Sequence, residues 1–278
     1  MGIPVVVHTV LKEYMNLFNE HFPGTMKRLY VHGSIALNAY VEDSSDIDFI
    51  TLTNRRLTEK DLDALTFIHR KIANKYEKPE LDGVYALRED LGKLYDGSDK
   101  NDYKYPYYNN GEISFGDYFN FNPITWWVLK RKGISILEEE PEGFHFDIQP
   151  HQLYSYVLAN MNSYWTNRVQ TAEASMEQLL KLPSSTLDFE IEWTVLGLLR
   201  QFYTIKENDI VSKLDAGEYG LCQLPAEWHD IIKEAMNIRR CEMSEIFNSE
   251  KERLEVTLRF SRFLIGYCNN SFKNQISF

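Results

Sequence analysis

The chain has 278 residues and a net charge of −11, from 30 basic and 41 acidic side chains. That acidity disfavours a dedicated duplex-DNA binder, which must neutralise phosphates, and it suits a cationic ligand. With 44% hydrophobic residues, among them 16 Phe, 17 Tyr and 5 Trp, the chain can bury sizeable cores, which excludes disorder as its main state.

At about 100–200 residues per domain, the length corresponds to two domains or one large one. Cys222, Cys241 and Cys268 are widely spaced with no CxxC, so a disulfide framework and a zinc ribbon are disfavoured and a reducing compartment fits. The opening MGIPVVVHTVLKEY lacks the basic region and long apolar run of an export signal. No stretch approaches the roughly 18 apolar residues of a membrane span. The expectation is a cytoplasmic protein with no membrane or nucleic-acid partner.

Residues 4–21 read as an amphipathic helix, with Val6, Val10, Met15 and Phe18 near helical spacing and Pro23-Gly24 as its stop. Arg28 to His32 is a short strand, Gly33-Ser34 breaks it, and Ile35 to Tyr40 forms a short helix. Asp46 to Thr53 alternates apolar and polar residues as a second strand. Thr58 caps a helix over Glu59 to Tyr76, with Asp61 three residues on completing a capping box. Leu81 to Leu87 is a third strand. Residues 95–122, rich in Asn, Gly, Tyr and Asp, read as a long loop region. Pro123 opens a helix that Gly133 closes.

Beyond a boundary near Pro141–Pro150, long helical patterns take over: 151–181, 188–206, 225–247 and 249–268. The fold class is therefore α+β, a mixed-sheet domain over 1–148 followed by an all-α bundle over 149–278. Trp126, Trp127, Phe119 and Phe121 read as core. Cys222 and Cys241 read as buried thiols, and Glu138-Glu139-Glu140 as a solvated charge run. His32 reads as a packed histidine, because Mg²⁺ prefers oxygen ligands.

The chemistry concentrates in Gly33-Ser34 and Asp46-Ile47-Asp48. Two carboxylates two apart on a strand share a face and repel unless a cation lies between them, so the pair is a natural clamp for Mg²⁺. Gly-Ser at a strand-to-helix turn offers close backbone approach and a hydroxyl to phosphate. Asp82 follows on the next strand as a third carboxylate. Together these features point to nucleotide chemistry.

The stretch GS…SDIDFITLTNR resembles the nucleotidyltransferase superfamily with the polymerase-β-like palm. LDGVYAL, FGDYFNFNPITWWVLKRKGISIL and LLRQFYTIKENDIVSKLDAGEYGLCQLP resemble the aminoglycoside nucleotidyltransferases that modify streptomycin and spectinomycin. The resemblance implies that Gly33, Ser34 and Ser45 hold the triphosphate of ATP and that Asp46, Asp48 and Asp82 bind two Mg²⁺ ions. It implies that Asp82 completes that metal site or acts as the general base, with Glu80 as the alternative base, and that Arg200 and Lys213 reach the ATP phosphates. Where the streptomycin-modifying members carry a Trp and a further Asp, this chain has Tyr118 and Thr186, which favours spectinomycin.

Asp188, Glu190 and Glu192 read as the acidic start of the 188–206 helix, where they favour the macrodipole. Glu190 is the candidate to grip an antibiotic amine. The expected activity is transfer of AMP from ATP to a hydroxyl of an aminocyclitol antibiotic by a monomer. The alternatives are another small acceptor, such as a lincosamide or a metabolite, and a non-catalytic interaction module of the same fold.

Overall fold

The computed structural model describes residues 2–94, 104–137, 143–242 and 246–272. Two compact units emerge, Met1–Ile148 and Gln149–Phe278.

The first unit is a six-stranded mixed sheet carrying helices. Its elements run α1 (Val5–His21), β1 (Met26–Val31), a single turn α2 (Gly33–Ala36), β2 (Ile47–Thr53), α3 (Leu62–Lys75), β3 (Leu81–Ala86), β4 (Tyr105–Asn109), β5 (Glu112–Gly116), α4 (Pro123–Lys132) and β6 (Ile134–Ser135). The sheet order is β5-β4-β3-β2-β1-β6. Neighbours pair antiparallel, except that β2 and β3, joined through α3, run parallel.

The apolar stripe of α1 (Val7, Val10, Tyr14, Phe18) and that of α3 (Leu65, Ile68, Ile72) close over one sheet face. They meet Leu29 and Val31 of β1, Ile47 and Phe49 of β2, and Leu81 and Tyr85 of β3. The Thr58–Asp61 capping box forms as expected, though its first turn is 3₁₀. Asn122 caps α4 by accepting from the Thr125 N–H at 3.0 Å, with Pro123 as the first helical residue.

Three expectations fail in this unit. Residues 95–122 are not one loop: 105–116 form the β4–β5 hairpin, turned at Asn110-Gly111, while 95–103 lie outside the described residues. Phe119 is exposed, although Trp126, Trp127 and Phe121 are core. The short helix over Ile35 to Tyr40 shrinks to one turn, followed by Asn38 in the left-handed region. Glu138, Glu139 and Glu140 lie outside the described residues.

The second unit is helical. It comprises α5 (Pro150–Asn160), a π-helical turn (Met161–Trp165), α6 (Thr166–Ala174), α7 (Met176–Leu179), α8 (Ser184–Glu207), α9 (Lys213–Gln223), α10 (His229–Arg239) and α11 (Glu250–Phe272). α8 is the axis, packed by α5, α9, α10 and α11 and burying Leu187, Ile191, Val195, Leu198, Leu199 and Phe202. It begins at Ser184, so Asp188, Glu190 and Glu192 lie beyond its first turn and the macrodipole account of them fails. The expected 151–181 helix is broken into segments, α9 has no counterpart in the sequence reading, and α10 stops at Arg239.

Cys222 and Cys241 are exposed rather than buried, whereas Cys268 is buried. Burial pushes the Cys268 thiol up to about 12. Among the described residues no helix is long and apolar enough to cross a membrane.

Candidate active site

Strand alternation presents the carboxylates of the first unit. Ile47 and Phe49 point into the core beneath α1 and α3, so Asp48 between them points to the other sheet face. On β3, Leu81 and Tyr85 enter the same core and Asp82 does not. The parallel register sets Asp48 directly opposite Asp82. Two like charges thus face each other across neighbouring strands.

The backbone closes tightly around this pair. His32 N–H donates to the Asp48 carbonyl at 3.0 Å, and Gly33 follows with φ +59°. A Cβ at Gly33 would stand 1.8 Å from Asp48 Oδ2. The Ser34 hydroxyl is buried with no hydrogen-bond partner among the described residues, and so is Asp82 Oδ1. Ser45 is buried, and its Oγ accepts from the Val41 N–H at 3.0 Å, which closes the loop that leads into β2.

Asp82 is the electrostatic focus. Burial, then the charge of Asp48, then Asp46 and Glu80 push its carboxyl up to about 7, against the hydrogen bond from Asn109. Asp46 is half-exposed and sits 3.5 Å from Lys78 Nζ, which also lies 4.0 Å from Glu80. Lys78 therefore engages Glu80 and Asp46 and leaves Asp48 facing Asp82. Tyr118 is buried between Tyr107 and Phe121. Burial and the nearby charges of Asp82 and Asp48 hold its phenol far above its ordinary pKa. His32 is buried, and desolvation alone lowers it to about 4, so it is neutral.

No three His, Cys, Asp or Glu side chains among the described residues form a ready-made metal cage. Mg²⁺ does not need one: it takes one or two carboxylates and completes its shell with water and substrate phosphate. The facing Asp48–Asp82 pair and the glycine that clears space for Asp48 fit such an ion. Asp46 can join them by releasing Lys78.

In the second unit a cluster of cations gathers around one buried acid. Glu192 on α8 accepts from Lys213 Nζ at 3.1 and 3.2 Å and lies 3.6 Å from Arg239. Lys213 is the first residue of α9, whose start is capped by Ser212. Its ammonium lies 4.6 Å from the Trp193 ring centroid. Burial lowers Lys213 to about 8, opposed by Glu192 and reinforced by Arg239 and Arg200. Arg200 Nε donates to the Val211 carbonyl at 3.1 Å, which ties α8 to the turn before α9. Glu190 is ion-paired with Arg168, and Asp188 with Arg253. Three converging cations are chemistry for a polyanion.

Residues 11–100 match the family described as a nucleotidyltransferase domain. Residues 160–262 match the aminoglycoside adenylyltransferase C-terminal domain. The chain belongs to the aminoglycoside adenylyltransferase family of nucleotidyltransferases. In structure this adenylyltransferase is similar to a spectinomycin adenyltransferase, AAD(9), from Enterococcus faecialis, determined with ATP and spectinomycin. The TM-score is 0.64 at 15% identity, covering 92% of this chain and 99% of that one. At that identity the likeness is one of fold. No curated protein matches the chain in sequence.

Within the adenylyltransferase, the structure brings Gly33, Asp48 and Asp82 together, with the buried Tyr118 near enough for its phenol to feel both charges. Arg200 and Lys213 meet at the end of α8 that leads into α9. Glu192, Arg239, Lys78 and Asn109 complete these clusters; nothing in the sequence assigned Lys78, Asn109 or Arg239 a role in them, and Glu192 read only as part of an acidic helix start. Only Glu192 carried a signal, a carboxylate eight residues before Arg200 on the same helix.

Proposed function

We propose that this enzyme transfers AMP from ATP to a hydroxyl of an aminocyclitol antibiotic, with spectinomycin preferred to streptomycin, and releases pyrophosphate. The observation that carries the reading is the Asp48–Asp82 pair, with one buried oxygen of Asp82 left without a hydrogen-bond partner among the described residues. A buried, unpartnered carboxylate oxygen is a place for a proton.

In this reading Asp82 takes the proton of the acceptor hydroxyl. The hydroxyl oxygen forms a bond to the α-phosphorus, and the bond from that phosphorus to the bridging oxygen breaks, so the electron pair leaves with pyrophosphate. Asp46, Asp48 and Asp82 hold two Mg²⁺ ions, which when bound supply positive charge to the phosphates. Gly33, Ser34 and Ser45 cradle phosphate, Ser34 through a hydroxyl that has no other partner among the described residues. Arg200 and Lys213 serve the triphosphate as cations; anionic phosphate beside Lys213 would favour the ammonium against the burial that lowers its pKa.

Glu190 is assigned to an antibiotic ammonium, which must take the place of the Arg168 guanidinium. The preference for spectinomycin rests on Tyr118 and Thr186, which stand where the streptomycin-modifying members carry a Trp and an Asp. A structural relative determined with ATP and spectinomycin makes spectinomycin the first acceptor to test.

The test is ATP-dependent pyrophosphate release against spectinomycin, streptomycin and a lincosamide. Turnover with spectinomycin, abolished by Asp48→Asn, is the expected result. Turnover with streptomycin but none with spectinomycin overturns the specificity, and undiminished activity in Asp48→Asn overturns the site.

A further inference from the structure

The β4–β5 hairpin ends its first strand beside the carboxylate pair. Asn109, the last residue of β4, donates from Nδ2 to Asp82 Oδ2 at 2.6 Å. Its own Oδ1 accepts from Asn110 Nδ2 at 2.8 Å. Asn110 and Gly111, with φ of 49° and 78°, make the two-residue turn that pairs Asn109 with Glu112. The pairing of Gly83 with Tyr108 brings this strand end alongside Asp82. The amide is thus oriented from both sides, its oxygen toward Asn110 and its N–H toward Asp82.

A carboxylate rotates about a broad terminal torsion and has two equivalent oxygens. A short charge-assisted bond to one of them fixes which one is offered. Here Oδ2 is taken and Oδ1 is buried with no hydrogen-bond partner among the described residues. We propose that Asn109 is a positioning residue for the transfer reaction: by holding Oδ2 it turns Oδ1 of Asp82 toward the acceptor hydroxyl. The role rests on the reading of Asp82 as the base; the Asn109–Asp82 contact itself does not.

Packing and positioning make opposite demands at this site. If Asn109 only fills space, the isosteric Asn109→Asp is tolerated. If it positions Asp82, Asn109→Asp replaces the donor with a second negative oxygen and is at least as damaging as Asn109→Ala.

The experiment has two readouts on the full chain. In amide spectra of ¹⁵N-labelled protein, the Asn109 side-chain signal, assigned by its loss in Asn109→Ala, moves upfield in Asp82→Ala. An unmoved signal overturns the proposal whatever the acceptor. In pyrophosphate release with spectinomycin, Asn109→Ala and Asn109→Asp lower kcat by about 10–100-fold, the usual loss when the partner that orients an active-site ligand is removed. KM for ATP and the melting temperature stay near wild type, and Asn109→Ala adds nothing in an Asp82→Asn background. Wild-type kcat in Asn109→Asp, with Asp82→Asn inactive, overturns the role of Asn109 alone. Full turnover in Asp82→Asn with loss in Glu80→Gln overturns the base assignment, and the positioning role falls with it.

Discussion

Gly33 is confined to glycine by two separate constraints: a φ of +59°, and a carboxylate where its side chain would be. In Gly33→Ala the backbone conformation costs about 1–2 kcal/mol, and the methyl group forces Asp48 to swing away. Because a misplacement of about 1 Å can cost roughly a hundredfold in rate, Gly33→Ala should lose at least about a hundredfold in kcat. Its melting temperature should fall by only a few degrees, at about 2–4 °C for each kcal/mol. A steady-state assay with a thermal melt on the same preparation checks both, and an active Gly33→Ala variant would show that Asp48 need not sit where it does. Glu190 has a different prediction. Glu190→Gln should weaken spectinomycin binding measured by calorimetry with ATP present and leave ATP affinity unchanged. Unchanged drug affinity removes Glu190 from the acceptor site. Asp48 and Asp82 were visible in the sequence because alternation along β2 and β3 fixes the face each presents. Asp46, expected to open β2 and share the face of Asp48, instead lies exposed ahead of that strand, which begins at Ile47. The salt bridges that occupy Asp46 and Glu190 were not visible, because Lys78 and Arg168 reach them through long side chains whose direction no spacing encodes.

At the scale of elements, the hairpin is the instructive miss. Residues 105–116 hold Asn, Gly and Tyr in loop-like density, yet Asn110-Gly111 flanked by Tyr108 and Ile113 is a strong short-range hairpin signal. Composition over a long window hid a two-residue turn. The consequence reaches the site, because the hairpin carries Asn109. Gly111→Val places a β-branched residue at φ +78°, where it is strained. The expected outcome is a lower kcat together with exchange broadening of the Asn109 side-chain amide signal. A Gly111→Val protein with wild-type turnover and a sharp Asn109 signal would mean that the turn does not set the amide. The second unit shows the opposite balance. Its helices were legible from apolar periodicity, but their ends were not. α9 was missed because Gly217 and Gly220 lower its helix propensity. Both are needed: a Cβ at Gly217 would meet the Met236 sulfur at 2.6 Å, and one at Gly220 would meet Leu199 at 2.7 Å. Tertiary packing selects residues that local propensity counts against.

Across the whole molecule, the nucleotidyltransferase unit concentrates its ionisable strain in a few buried groups, and that fixes how acid acts on it. His32 and His69 are buried and neutral, lowered by desolvation to about 4 and about 3 from 6.5. An imidazole with a folded-state pKa below its unfolded value binds fewer protons when folded. Its contribution is intact above pH 6.5 and is lost as pH falls toward the folded value. Asp82 has the opposite sign. Its folded pKa, about 7, lies above the ordinary 3.8, so the folded state takes up the proton first and gains stability as pH falls between those values. Between pH 6.5 and 5 two groups lose and one gains, each at about 1.4 kcal/mol per pH unit. The metal-free protein should therefore lose stability toward acid with the slope of about one group. Asp82→Asn removes the gain, so its slope should be about twice as steep. The variant should melt above wild type at pH 7.5 and meet it near pH 4. Calorimetric melts in chelator across this range test the sign directly. If Asp82→Asn melts below wild type at pH 7.5, the Asp82 carboxylate is stabilised rather than strained by its surroundings, and a base poised near neutral pH is lost with it.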